Sequence, residues 1–285
     1  MQEFDLLRTA VTAAILLYAS VSDIKQREVS DKCWWILGIF GIGCMIYSVH
    51  EEVRWEHVLM IIGTAMILAD ILVDMGEDKR LSVIYHIAMA AMFIIPLAFS
   101  YDDATVIRFA IVPLAFVVFI GLFMSGMTIG GADVKCMIVL AMVFTSYPVF
   151  FGFPMIDAPQ LSEIPELILQ FPLMLFYCAV LLNVFVALYL LLLNIVRKDL
   201  SFPHMFIGYR MNIQDARTAH IVPMQTVSDG KVVMSRKVRD KEGLDDLERA
   251  GAERIWVTPM IPFIVPLTAA FFILVFIGNP LFFIL

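Results

Sequence analysis

The sequence predicts an all-α polytopic membrane protein of about eight transmembrane helices with a small cytoplasmic α+β insertion, and three observations lead there. Hydrophobic residues make up 61% of the 285 and charged residues 16%, with a mean hydropathy of +0.87. That balance lies far outside the range of a soluble domain. The apolar residues are gathered into eight runs, and one polar stretch, from Arg197 to about Trp256, is long enough to fold outside a bilayer.

The runs are Phe4 to Val21, Cys33 to Val49, Val58 to Val73, Leu81 to Phe99, Val106 to Ser125, Val134 to Phe151, Ile168 to Val196 and Pro259 to Leu285. Each is near the roughly 20 residues a helix needs to cross hydrocarbon, although the second and third are short and the seventh is long. Backbone polar groups find no water in lipid, so runs of this character span as helices. The first run reads as an uncleaved anchor with its N-terminus outside. Glu3 and Asp5 precede it and Lys25, Arg27 and Lys32 follow it, the reverse of the flanks of a secretory signal.

Basic residues accumulate in cytoplasmic loops. With the first loop inside, the loops at 22–33, 74–81, 125–135 and 197–258 hold 17 of the 20 Lys and Arg residues, leaving Arg8, Arg54 and Arg108 for the other side. Both chain ends are then expected outside. The organisation expected is a helical core over 1–196, an insertion over 197–256 and a last helix over 257–285. Within the insertion, Ile221 to Val227 and Lys231 to Ser235 read as a hairpin about Ser228-Asp229-Gly230. A short amphipathic helix through Leu244, Leu247 and Ala250 should follow and stop at Gly251. The insertion's 11 basic and 9 acidic residues form a mixed solvated surface with no nucleic-acid patch.

Cys33, Cys44, Cys136 and Cys178 show neither CxxC pairing nor metal-ligand spacing, so they read as packing residues and no metal site is expected. The five histidines are scattered, and none stands beside a Ser or Cys in a nucleophile motif. Two aspartates stand out instead: Asp23 in Ser22-Asp23-Ile24-Lys25-Gln26-Arg27-Glu28-Val29, and Asp133 in Gly130-Gly131-Ala132-Asp133-Val134-Lys135. Four spans lie between them, and an even number returns the chain to the same side. Both then sit at the cytoplasmic edge, where two carboxylates sharing a proton could drive water onto a peptide bond.

These motifs resemble those of the archaeal type IV prepilin and preflagellin (prearchaellin) peptidases, membrane aspartyl proteases named for a Gly-x-Gly-Asp motif. The run from Ser22 to Asp31 is similar to the family's first aspartate motif, Ile129 to Lys135 to its second, and Ile255 to Phe263 with Pro266 to the approach to its last helix. Ala132 stands where the family's name has its second Gly, and four spans separate the aspartates where two are expected in compact members. The resemblance implies a peptidase that cuts a short basic leader from prepilin-like substrates bearing a hydrophobic helix, at the cytoplasmic face of the cell membrane. It needs no cofactor. Bacterial relatives carry a cysteine-paired metal region and also N-methylate their product; this chain lacks such a region, so methyl transfer is not expected.

Asp133 opens a helix and Asp23 closes one, so the helix dipole predicts Asp133 as the base and Asp23 as the acid. Gly130 and Gly131 would allow close backbone approach, and Ala132 keeps the position small. Lys25, Arg27 and Lys135 could pair with the carboxylates, contact headgroups or simply mark the inner face. Asp70, one turn inside the third span, is an ionisable group in lipid and a candidate support for the dyad. Glu28, Asp31, Asp74, Glu77 and Asp78 could meet a basic leader, although the last three read better as a solvated loop. A presenilin-like protease is the rival enzyme, but the chain has no Pro-Ala-Leu and its Tyr101-Asp102 falls in an outer loop. A transporter would place its polar groups near mid-bilayer along broken helices, whereas these cluster at one edge.

Overall fold

The computed structural model describes residues 2–73, 79–125, 130–156, 170–228, 230–234, 243–260 and 262–279. Asp74, Glu77, Asp78, Ile129, Asp229 and Ser235 lie outside them. The chain divides into two compact units, residues 1–179 with 262–285, and residues 180–261.

Each of the eight apolar runs holds a helix or a consecutive pair: α1 (Gln2–Gln26), α2 (Asp31–Ser48), α3 (Trp55–Leu72), α4 (Lys79–Phe99), the pair α5 (Ala104–Phe109) and α6 (Ile111–Met124), α7 (Gly131–Val143), α8 (Phe171–Arg197) and α11 (Ile264–Phe276). Among the described residues five stretches are long and apolar enough to cross a membrane: α1, α3, α4, α5 with α6, and α8. The count of eight full spans is therefore not carried by the structure. Helix α2 spends its first turn on Asp31 and Lys32, and α7 and α11 have 13 residues each. At 1.5 Å per residue those two cover only about 20 Å of a roughly 30 Å core.

Helix α7 is short because it sits inside the first unit rather than against lipid. Every residue from Cys136 to Val143 is buried, with α2 and α6 packed along it. In lipid the packing of small residues, rather than water exclusion, draws helices together. Gly41 of α2 illustrates this, since a Cβ there would lie 2.8 Å from Met142 Cβ and 3.0 Å from the Val143 backbone nitrogen. Beyond α7, Phe144 packs between Phe171 and Phe271, with ring centroids 4.7 and 5.7 Å away.

A helix C-terminus leaves carbonyls without intrahelical partners. At α7 a buried ion pair from α1 meets that need. Arg8 pairs with Asp5 at 2.7 Å and donates to the carbonyls of Val143 at 3.3 Å and Tyr147 at 3.2 Å, while Asp5 accepts from the Val149 amide at 3.0 Å. A second polar cluster ties the start of α3 to the α4–α5 connection. Asp103 caps α5 and accepts from Arg54 (3.0 Å) and pairs with His57 (3.1 Å); Ser100 donates to Glu56 (2.7 Å). Burying charges is tolerable only when they are paired in this way.

The second unit contains the expected α+β module. Strands β1 (Tyr209–Asn212), β5 (Arg254–Pro259) and β2 (Ile221–Pro223) form an antiparallel sheet in the order β1-β5-β2, and β3 (Gln225–Ser228) pairs with β4 (Lys231–Met234). The hairpin turn falls where the sequence puts it, with Gly230 at φ +72°. Its first strand is shorter than expected, because Ile221–Pro223 pairs with β5 instead of β4. Helices α9 (Ile213–Thr218) and α10 (Leu244–Arg249) close the module over Ile213, Ala216, Ile221, Leu244, Leu247, Ile255 and Val257. Gly251, at φ +80°, ends α10 as expected, its amide bonding to the Glu248 carbonyl at 2.9 Å.

Candidate active site

The first motif forms the end of α1. The helix runs more than a turn past Val21, the end of the apolar run, and stops at Gln26, where Arg27 turns to φ +58° and its amide bonds to the Asp23 carbonyl at 3.0 Å. Ser22 Oγ donates to the Glu28 carbonyl at 2.8 Å and closes the turn. Asp23 is thus on the last turn, half-buried, with the Arg27 charge acting on it. Lys25 is exposed on that turn. Ser30 then caps α2, accepting from the Lys32 amide at 3.4 Å.

The second motif forms the start of α7. Gly130 is the N-cap residue, and Asp133 reaches back so that Oδ2 accepts the Gly130 N–H at 3.0 Å. This is one half of a capping box; glycine has no side chain to supply the other. Gly130 has an ordinary φ of −70°, so its value is space: a Cβ would stand 3.0 Å from Asp133 Oδ2. Gly131 is exposed and a Cβ there would meet nothing, so close approach within the protein itself is required only at Gly130. Ala132 is half-buried beside them.

Although 110 residues apart in sequence, the two aspartates are near enough for the Asp23 charge to act on Asp133. Asp133 precedes the apolar part of α7, and its carboxyl is pushed up to about 6, first by burial and further by the charge of Asp23, with the Gly130 amide opposing. The helix-dipole effect expected at Asp133 meets a larger opposing one. A favourable N-terminus is worth ~0.3–1 kcal/mol, whereas a rise of about two pKa units corresponds to about 3 kcal/mol against the charged form. Burial is the larger effect, and it carries the Asp133 carboxyl up to about 6.

A third element was not legible in the sequence as part of this corner. The backbone amide of Ile264, the first residue of α11, is directed at the Asp23 carboxylate. Lys135 does not bind either aspartate; its ammonium pairs with Asp31 at 2.7 Å, joining the start of α2 to that of α7. Asp31 is thereby engaged by Lys135 rather than left for a leader peptide. Asp70 pairs with His86 on α4 at 3.2 Å, so its recorded partner is a neighbouring helix and not the aspartate pair.

Several apolar helices long enough to cross a bilayer, with two half-buried carboxylates on different helices, the charge of one acting on the other, are the features of a polytopic membrane protein with two neighbouring carboxylates. Among known proteins, the chain is similar over nearly its whole length to preflagellin peptidases. It is 23% identical to the Preflagellin peptidase of Methanococcus voltae over 269 residues, covering 93% of this chain and 92% of that one. The corresponding enzyme of Methanococcus maripaludis is 24% identical over 271 residues (93% and 92%), and that of Methanocaldococcus jannaschii 23% over 276 (94% and 93%). A family profile described as Archaeal Peptidase A24 C-terminus Type II matches residues 201–279. The resemblance first carried by some 30 residues around the aspartates thus extends along the chain.

Proposed function

We propose that this chain is a membrane aspartyl endopeptidase that removes the short basic leader from preflagellins or related type IV prepilin-like proteins at the cytoplasmic membrane face, without N-methylating the product. The observation that carries this reading is the nearness of Asp23 to Asp133, whose carboxyl its charge acts on, in a chain similar to preflagellin peptidases along more than nine-tenths of its length. The action of the Asp23 charge on Asp133 supports a common side of the membrane. The basic loops support that side being cytoplasmic.

In this mechanism Asp133, protonated, donates to the scissile carbonyl oxygen and draws electron density from its carbon. Asp23, ionised against the cost of its own burial with the Arg27 charge and the Ile264 amide favouring that form, takes a proton from water as the water oxygen attacks that carbon. Asp23 then passes its proton to the leaving nitrogen while Asp133 takes one back from the gem-diol, so the tetrahedral intermediate collapses to an amine and a carboxylic acid and the pair returns to its starting state. The exposed backbone at Gly130 and Gly131 offers the open side on which a substrate strand can lie.

Coexpression with a preflagellin, followed by the mobility of the processed product, tests the proposal. Asp23→Asn and Asp133→Asn should each abolish leader removal while the protein accumulates in membranes. Processing by both variants would sink it.

A further inference from the structure

The turn of α1 before its last is held to the first turns of α11 by a buried hydroxyl pair that neither the aspartate motifs nor the similarity to known peptidases identifies. Ser20 Oγ and Thr268 Oγ1 are 2.8 Å apart. Thr268 Oγ1 lies 2.8 Å from the Ile264 carbonyl and 3.4 Å from that of Leu16, and Ser20 Oγ lies 3.4 Å from the Ile264 carbonyl. Each hydroxyl has one proton. The two short contacts are both satisfied if Thr268 donates to the Ile264 carbonyl and Ser20 donates to Thr268.

The Ile264 carbonyl is therefore held by the hydroxyl pair, while its amide acts on the Asp23 carboxylate. That amide is free to do so for a reason visible in the sequence. The first helical N–H groups have no intrahelical acceptor; Pro266 has none to offer, and Val265 bonds to the Pro262 carbonyl at 3.3 Å. Ser20 and Asp23, three residues apart, share one face of α1.

Resting on the peptidase reading above, we propose that Ser20 and Thr268 are positioning residues for Asp23, locking α1 against α11 in the register that keeps the Ile264 amide on the Asp23 carboxylate. The rest of this interface is apolar, with Leu16, Ala19, Leu267 and Phe271 buried in it, and apolar surfaces tolerate sliding. A slip of one residue along a helix is 1.5 Å. That exceeds the tolerance of an N–H···O contact. Misplacement by about 1 Å can cost on the order of 100-fold in rate.

The charged and titratable groups around Asp23 are few. Its own helix supplies Arg27 and the exposed Lys25, and α7 supplies Asp133. On α2, Asp31 is engaged by Lys135, Lys32 is exposed and Cys33 is a buried thiol. Between Pro262 and Asn279 no side chain titrates. A donor to the charged form of a carboxylate favours that form, so losing the Ile264 contact should move the acidic limb of activity to higher pH.

The test is leader cleavage by the full chain in lipid vesicles, with a preflagellin substrate, for Thr268→Val, Thr268→Ser and Ser20→Ala across pH 4–8. Expected for Thr268→Val is a fall in kcat of about tenfold or more with KM little changed, and an acidic limb shifted upward by about half a pH unit or more. Thr268→Ser, which restores the hydroxyl, should recover most of both. Ser20→Ala should shift the same limb, and it decides the question alone if Thr268→Val does not fold. Wild-type kcat and pH profile in the Val and Ala variants would overturn the inference, as would an equal loss in Thr268→Ser or a loss without the shift. Retained cleavage by Asp23→Asn would instead refute the peptidase mechanism itself, so the two failures are distinguishable.

Discussion

Replacing Asp133 by Asn should make the protein more stable while abolishing its proposed activity. Burial raises the Asp133 carboxyl from 3.8 to about 6, so between those values the folded protein holds a proton that the unfolded chain releases. Stability then falls as pH rises through this window and stays lowered above it, since the folded state binds more protons than the unfolded one. Two units correspond to about 3 kcal/mol. Asn keeps an oxygen that can accept the Gly130 amide, so the 3.0 Å contact survives while the cost of a buried charge disappears. At about 2–4 °C per kcal/mol for a domain of moderate size, Tm should rise by roughly 6–12 °C at pH 7.5. The gain should shrink to nothing near pH 4. Thermal unfolding of purified wild-type and Asp133→Asn protein in the same detergent, at steps between pH 4 and 8, measures it. An equal or lower Tm at pH 7.5, or a gain independent of pH, would refute the argument that desolvation governs this carboxyl.

Three other outcomes follow from the same geometry. With Asp133 as the proton donor, kcat/KM for leader cleavage should decline as pH rises through about 6; a rate that climbs through the same range would make Asp133 the base. Gly41→Leu should lower stability by at least about 1–3 kcal/mol, because even its Cβ would press on Met142 and Val143 of α7; unchanged thermal unfolding would show that α2 can move away. Lys135→Met and Asp31→Asn should each cost less than about 1 kcal/mol and should not add in the double variant, since the pair is partly exposed to solvent. A larger loss in unfolding free energy would mean that the pair anchors α7.

What was legible in the residues followed from short-range physics. Asp23 near the close of α1 and Asp133 near the start of α7 stand where their motifs put them, and the Ser228–Lys231 turn and the Gly251 stop both fell where left-handed or turn-forming residues stand. Pairings across long separations were harder. Ile221–Pro223 reads as part of the hairpin because alternation along a strand says nothing about which neighbour it joins, and β5 supplies that neighbour from more than 30 residues away. The role of Asp133 is hard to read locally for a related reason. A helix dipole is a property of local sequence, but burial depends on what packs around the carboxyl, and at this site burial is the larger effect.

The amino-acid sequence alone determined the membrane character of the chain, its succession of apolar helices, the α+β module and the two aspartates, because hydropathy, capping and turn preferences act over a few residues. Tertiary structure decided how those pieces meet. It shortened α7 and surrounded it, brought the Asp23 charge to bear on Asp133, turned the Ile264 amide toward Asp23 and gave Lys135 to Asp31. Each of these depends on desolvation or on contact between distant segments, and neither is written in any one stretch of chain.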